Sequence, residues 1–139
     1  MKKKQQKPKI SVMFSSQYPE EAKKDILNLL EESFAVDVSE KVIFYKNATL
    51  WIVLALGFAA FLALREFLKG FAGESGKQLA QRLFKAAEKS PASRTNVRII
   101  IQYNEQDKYI DGKDESELYH NLLKSMEEIK KEMQKLPKS

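Results

Sequence analysis

Few stretches of this chain offer reactive or ligand-binding side chains in a usable arrangement. Residues 70–77, GFAGESGK, carry the glycines and the lysine of a phosphate-cradling loop. That loop needs a glycine five places before its Gly-Lys pair, where Phe71 stands, and a Ser or Thr after the lysine, where Gln78 stands. The segment also continues a helical pattern instead of following a strand, so it reads as a flexible helix joint. His120 is the only histidine. It sits beside Tyr119, away from Leu118 and Leu122, and has no second histidine or cysteine with which to share a metal, which makes it a surface residue. Asp107, Asp111, Asp114 and Glu115 cluster around a turn, but Lys108 and Lys113 interrupt them and the alternating frame of a calcium loop is missing. Turn and cap roles suffice for them. Without cysteine there is neither a thiolate nucleophile nor a disulfide framework. No serine stands in a pattern with a base, and no pair of acids marks a pocket. The expectation is a protein that is not an enzyme, uses no cofactor or metal, and acts by binding, anchoring or assembly.

Composition narrows the partners. The 139 residues give room for one domain, and 43% hydrophobic with 31% charged residues is the balance of a folded chain. The formal charge is +5, but Lys2, Lys3, Lys4, Lys7 and Lys9 crowd the first nine residues without an acid. The other 19 basic residues balance the 19 acids, so the body is neutral and residues 1–9 form a basic tail suited to contact with an anionic surface. Arg94, Arg98, Lys77, Arg82 and Lys85 could gather into a modest basic patch. A nucleic-acid-binding domain carries a basic excess in its folded body, and here there is none, so nucleic acid is not an expected partner. The first long apolar run begins too late for a cleaved signal, which favours the cytoplasm.

The helices and strands that carry these residues follow from periodicity. Ile10, Val12 and Phe14 alternate with Ser11, Met13 and Ser15, the period of a strand with one buried face. Pro19 suits the start of a helix, Glu20, Glu21 and Asp25 fall in its early turns, and Ala22, Ile26, Leu29, Leu30 and Phe34 recur at helical spacing. Val36, Val38, Val42 and Phe44 share one parity, predicting a strand over 36–45. Residues 78–89 present Leu79, Leu83, Phe84 and Ala87 on one helical face. Val97, Ile99, Ile101 and Tyr103 alternate as a strand, 104–107 turn the chain, and 108–111 form a short second strand. Asp114 with Glu117 makes a capping box for a helix along Leu118, Leu122, Met126, Ile129, Met133 and Leu136.

Between these pieces lies residues 48–64, ATLWIVLALGFAAFLAL, with nine Leu, Ile, Val or Phe and no charge. As a helix it is apolar on every side, and such a helix is sheltered only by lipid or by complete burial in protein. From Arg65 onward it becomes amphipathic, so the expectation is one apolar helix over 48–72. Two considerations favour protein over lipid. Seventeen residues reach about 26 Å against a hydrocarbon layer of about 30 Å, and a crossing would divide a small sheet between two sides of a membrane.

The expected fold is therefore α+β: a small four-stranded sheet, in the order β-α-β-α-α-β-β-α, with a very hydrophobic central helix. It comprises a basic tail over 1–9 and a single α+β domain over 10–136. A strand, an acidic-to-apolar helix, a second strand, the apolar helix, a strand pair ending in Ile110-Asp111-Gly112 and an acid-capped helix with Leu118 and Leu122 together resemble the effector-associated constant component family. That resemblance implies a small non-enzymatic component of a bacterial conflict system, set beside separate effector enzymes. The functional expectation is a non-catalytic adaptor or assembly component. Its apolar helix meets a protein partner or a second copy through Leu50, Trp51, Leu54, Phe58, Phe61 and Leu62. The alternative is a small membrane-anchored protein with one helix in the bilayer and its Lys tail at the headgroups, which would place it on the cytoplasmic face of a membrane.

Overall fold

The computed structural model describes residues 8–15, 18–39, 50–57, 61–71, 74–88 and 96–135. The alternating first segment forms β1 (Lys9–Phe14), and Pro19 precedes α1 (Glu20–Glu31), which buries Ile26, Leu29 and Leu30. The chain returns through β2 (Ala35–Val38), parallel to β1. Residues 40–49, which include most of the strand expected over 36–45, lie outside the described residues.

The expected apolar helix is not a helix over its first half. Residues 50–57 form β3 (Leu50–Gly57), and only then does α2 (Phe61–Gly70) begin. The physical reason lies in the sheet order, β2-β1-β3-β4-β5, which places β3 at its centre. A strand flanked on both edges and buried on both faces needs no polar residue, so its sequence runs apolar without alternation. Periodicity alone cannot distinguish such a strand from a buried helix. Gly57 ends it: its φ of +67° is open to glycine at little cost, and the ladder shifts register between Ala55 and Gly57.

A second correction concerns the strand count: the described residues form five strands rather than four, in a mixed sheet, with four helices. The element order is β-α-β-β-α-α-β-β-α. β1 and β3 are antiparallel, while β3 is parallel to β4 (Val97–Tyr103) after the two-helix crossover of α2 and α3 (Glu74–Glu88). β5 (Gln106–Gly112) returns antiparallel through a two-residue turn, Asn104-Glu105, with φ of 50° and 62°. Positive φ at both positions suits the right-handed twist of a hairpin, and it lets β5 start earlier than the expected Lys108. α4 (Glu115–Met133) is capped as expected, the Glu117 amide donating to the Asp114 carboxylate at 2.8 Å. At Gly112 a Cβ would lie 2.6 Å from the Leu118 backbone, so only glycine allows α4 to close onto the end of β5.

One core joins Ile10, Val12, Ile52, Leu54, Ile99 and Ile101 of the sheet to residues from all four helices. At its edge Phe34, Phe67 and Phe71 form a triangle of rings with centroids 4.9–5.6 Å apart. Leu54 lies fully buried at the centre of the middle strand. Leu54→Ala is expected to lower stability by about 2–5 kcal/mol, checked by urea unfolding of the full chain.

Candidate functional site

The pleat of the sheet sends alternate residues to its second face, and the register lines them up across strands. Met13 pairs with Val53, Val53 with Ile100, and Ile100 with Tyr109, giving an apolar row across four strands. Beside it run Trp51, Arg98 and Asp111, and on the other side Ser11, Ala55, Gln102 and Asp107. Trp51, Val53 and Ile100 form a small apolar cluster with Met13 packed against it, separate from the main core and including no helix residue among those described. These three are nearly inaccessible, whereas Tyr109, at the end of the row, is 54% exposed.

The exposed end has a defined polar geometry. Arg98 Nε lies 2.6 Å from Asp111 Oδ1 and Nη2 3.3 Å from Oδ2, a two-pronged pairing that fixes the guanidinium plane. Its carbon stands 5.3 Å from the centre of the Tyr109 ring. Tyrosine and arginine are among the residue types enriched at the energetic hot spots of protein interfaces.

The residues expected to form one contact are divided by this geometry. Leu54 faces the helix-covered core and Trp51 the other side of the sheet, as adjacent strand parities must. Leu50 opens β3, and Phe61 and Leu62 begin α2, while Phe58 lies outside the described residues. Lys9 opens β1 with an exposed side chain, and Lys2, Lys3, Lys4 and Lys7 lie outside the described residues. His120 is exposed on α4. Residues 70–77 join the end of α2 to the start of α3, with no strand leading into them. Of the turn acids, Asp114 caps α4, Asp111 holds Arg98, and Asp107 accepts a 3.5 Å contact from the Tyr109 hydroxyl. Arg98 and Tyr109 were not legible as a site in the sequence, because only strand register brings them together.

On the helix-covered side one polar cluster ties β4 and β5 to α4. The Tyr103 hydroxyl donates to the Glu132 carboxylate, and Lys108 Nζ lies 3.0 Å from Glu132 and 3.2 Å from Glu128. Burial pushes the Tyr103 phenol above its ordinary range, and its bond to Glu132 and the nearby negative charges push it further. Burial works against the charge of Lys108, but the hydrogen bonds to Glu132 and Glu128 and their charges outweigh it and raise the net value. For Glu132 burial again opposes ionisation, and the bonds from Tyr103 and Lys108 with the lysine charge bring it below the usual carboxylate range. A similar tie joins α1 to α3, where Arg82 donates to the Asp25 carbonyl at 2.9 Å and lies 3.4 Å from its carboxylate.

Two buried hydroxyls, Ser15 Oγ and Tyr18 Oη, have no hydrogen-bond partner among the described residues. Both stand where β1 gives way to α1, and the Tyr18 ring packs edge-on against Phe14 at 5.4 Å. Burial alone drives the Tyr18 phenol far upward.

Surface hollows among the described residues accompany these features. One of about 330 Å³ lies at the carboxyl ends of β3 and β4 and reaches from Ala55 and Gly57 to Asp107. One of about 220 Å³ lies between α1 and α3, and one of about 120 Å³ beside Arg98 and Asp111. Among the described residues no group of three or more His, Cys, Asp or Glu side chains could hold a metal ion. Nor is any helix among them long and apolar enough to cross a membrane. Comparison with protein-family models, curated proteins and solved structures finds no match to this chain.

Tyr18→Phe is expected to raise stability by about 1–2 kcal/mol, since it removes an unpaired buried hydroxyl and keeps the ring; thermal unfolding measures it. The Glu132 contribution is present above the ordinary carboxylate pKa and is lost as pH falls through the lowered folded value. The contributions of Lys108 and Tyr103 are complete below their unfolded values and are lost as pH rises through the raised folded ones. Stability should therefore fall at both extremes, and Glu132→Gln should flatten both limbs while costing about 1–2 kcal/mol at neutral pH, as read from urea titrations across pH.

Proposed function

We propose that this chain is a non-catalytic assembly component that associates through the exposed margin of the sheet face opposite its described helices. The observation that carries the reading is the exposed Tyr109 ring with Arg98 fixed beside it at the end of an apolar cross-strand row. The occupant we assign is a second copy of the chain. The contact region holds an aromatic ring beside an internally neutralised Arg98–Asp111 pair, so a two-fold axis can set the Tyr109 rings of two copies against each other without burying an unpaired charge. The adaptor role expected from the apolar helix is retained, but its contact moves from the hydrophobic run to the sheet residues aligned beside it. An assembly role also accords with the resemblance to the effector-associated constant component family, whose members are similar small proteins set beside separate effectors.

A membrane anchor has less to support it, since part of the run that suggested one is the central strand of the sheet. Light scattering of the full chain in plain buffer tests the proposal. The expected mass is a multiple of 16.0 kDa, returning to 16.0 kDa in Tyr109→Ser with the unfolding transition unchanged. A wild-type monomer at every concentration examined, or a Tyr109→Ser variant that assembles like wild type, overturns it.

A further inference from the structure

The sheet has two outer edges, and the one far from Tyr109 is formed by β2, which pairs with β1 alone among the described strands. Two bonds fix how β2 faces its neighbour. The Ala35 amide donates to the Pro8 carbonyl at 2.9 Å and the Ser39 amide to the Val12 carbonyl at 2.8 Å. Backbone groups alternate in direction along a strand, so Ala35, Asp37 and Ser39 turn toward β1, and Val36 and Val38 aim their N–H and C=O groups outward. These outward groups have no hydrogen-bond partner among the described residues. Such an edge is a template for one more strand, and β2 holds no proline, lysine or bulge of the kind that blunts one.

Side chains form a ledge beside these groups. Val36 and Val38 share the helix-covered face, Val36 partly buried against the core and Val38 50% exposed. Above them stands α1, whose Asp25 is tied to Arg82 of α3. Leu27 lies two residues further, about 200° around the helix, so it sits on the flank turned away from α3 and toward the β2 edge. It too is only partly buried. The charge around the ledge has one sign: the chain carries Asp25, Glu31, Glu32, Asp37 and Glu40 between Lys24 and Lys41, with no Lys or Arg among them. Asp25 is balanced by Arg82, whereas Asp37 is exposed on the opposite face of β2 from Val36 and Val38.

We infer that the outer edge of β2 is the docking site for an extended segment of a partner protein in which apolar residues alternate with lysine or arginine. Added as one more strand, the segment exchanges backbone hydrogen bonds with Val36 and Val38. Its apolar side chains cover Val36, Val38 and Leu27, and its basic ones come alongside Asp37 on the other face. Backbone pairing supplies the hold, and the alternation supplies the choice of partner. The site lies at the opposite edge from Tyr109 and does not depend on assembly there. A chain with both sites holds a copy at one margin and a different protein at the other.

A capped peptide of alternating valine and lysine, titrated into the isotope-labelled full chain and followed by amide NMR, tests this. The expected result is saturable binding that slows hydrogen exchange at the Val36 and Val38 amides, both of which exchange fast without peptide. Val38→Pro removes an outward N–H and leaves the pairing with β1 in place, as proline on an edge strand does. It should weaken binding several-fold, with circular dichroism confirming that the fold is kept. Asp37→Lys should turn the preference from the lysine peptide to its valine-glutamate counterpart. The inference is overturned if wild type shows no saturable binding, if it takes both peptides equally, or if folded Val38→Pro binds like wild type. An unchanged preference in Asp37→Lys overturns it by itself. So does protection of the Val36 and Val38 amides before any peptide is added: protection independent of concentration gives the edge to the chain's own residues, and protection that grows with concentration gives it to a second copy.

Discussion

The arrangement depends on one constraint, the burial of β3 on both of its faces and along both of its edges. Ile52 and Leu54 point into the helix-covered core, and Trp51 and Val53 into the smaller cluster on the other side. Each such side chain is worth about 1.5–3 kcal/mol when fully removed from water. The strand's backbone is satisfied only by neighbours on both edges, β1 antiparallel and β4 parallel. Once this strand is central, the order of the rest follows. β2 lies beyond β1 because α1 returns the chain parallel to it, and β5 lies beyond β4 because a two-residue turn leaves no room for another strand between them.

Helices from both crossovers and the C-terminal segment then share one core on one face of this sheet. The polar ties are placed at the periphery of that layer: Arg82 to Asp25 between helices, and Lys108 and Tyr103 to Glu132 between sheet and helix. These pairs are half in water, so they orient the layer more than they stabilise it. What the layering leaves is a second face with an apolar centre and a polar margin. The centre, Trp51 with Val53 and Ile100, is nearly inaccessible, so recognition falls to the margin, where Tyr109, Arg98 and Asp111 stand at one end.

How much of this was legible in the sequence depended on whether a segment had one wet face. The helix from Asp114 onward was legible as far as Met133, because its cap and its buried positions Leu118, Leu122, Ile129 and Met133 are local and periodic, while the expected Leu136 lies outside the described residues. The same holds for the helix that buries Ile26, Leu29 and Leu30, and for the strands bearing Ile10 and Ile99, each with alternating sides. Residues 50–57 have no wet face, so no period survived to separate strand from helix, and the contact group read from them combined side chains that point in opposite directions. The margin of the second face escaped for another reason. Arg98 and Asp111 lie 13 residues apart in the chain, and nothing short of the β4–β5 register sets them opposite each other.

Composition and short-range patterning were enough for the α+β class, the neutral body with its basic leading segment, the capped last helix and the presence of a stretch that had to be sheltered from water. These follow from composition and from patterns closed within a few residues. Tertiary structure decided what shelters that stretch, which strands neighbour it and which side chains share a face. Those are properties of pairing between distant segments: the same greasy run is satisfied equally by lipid, by a partner or by a seat in the middle of a sheet, and only the company of β1 and β4 selects the last.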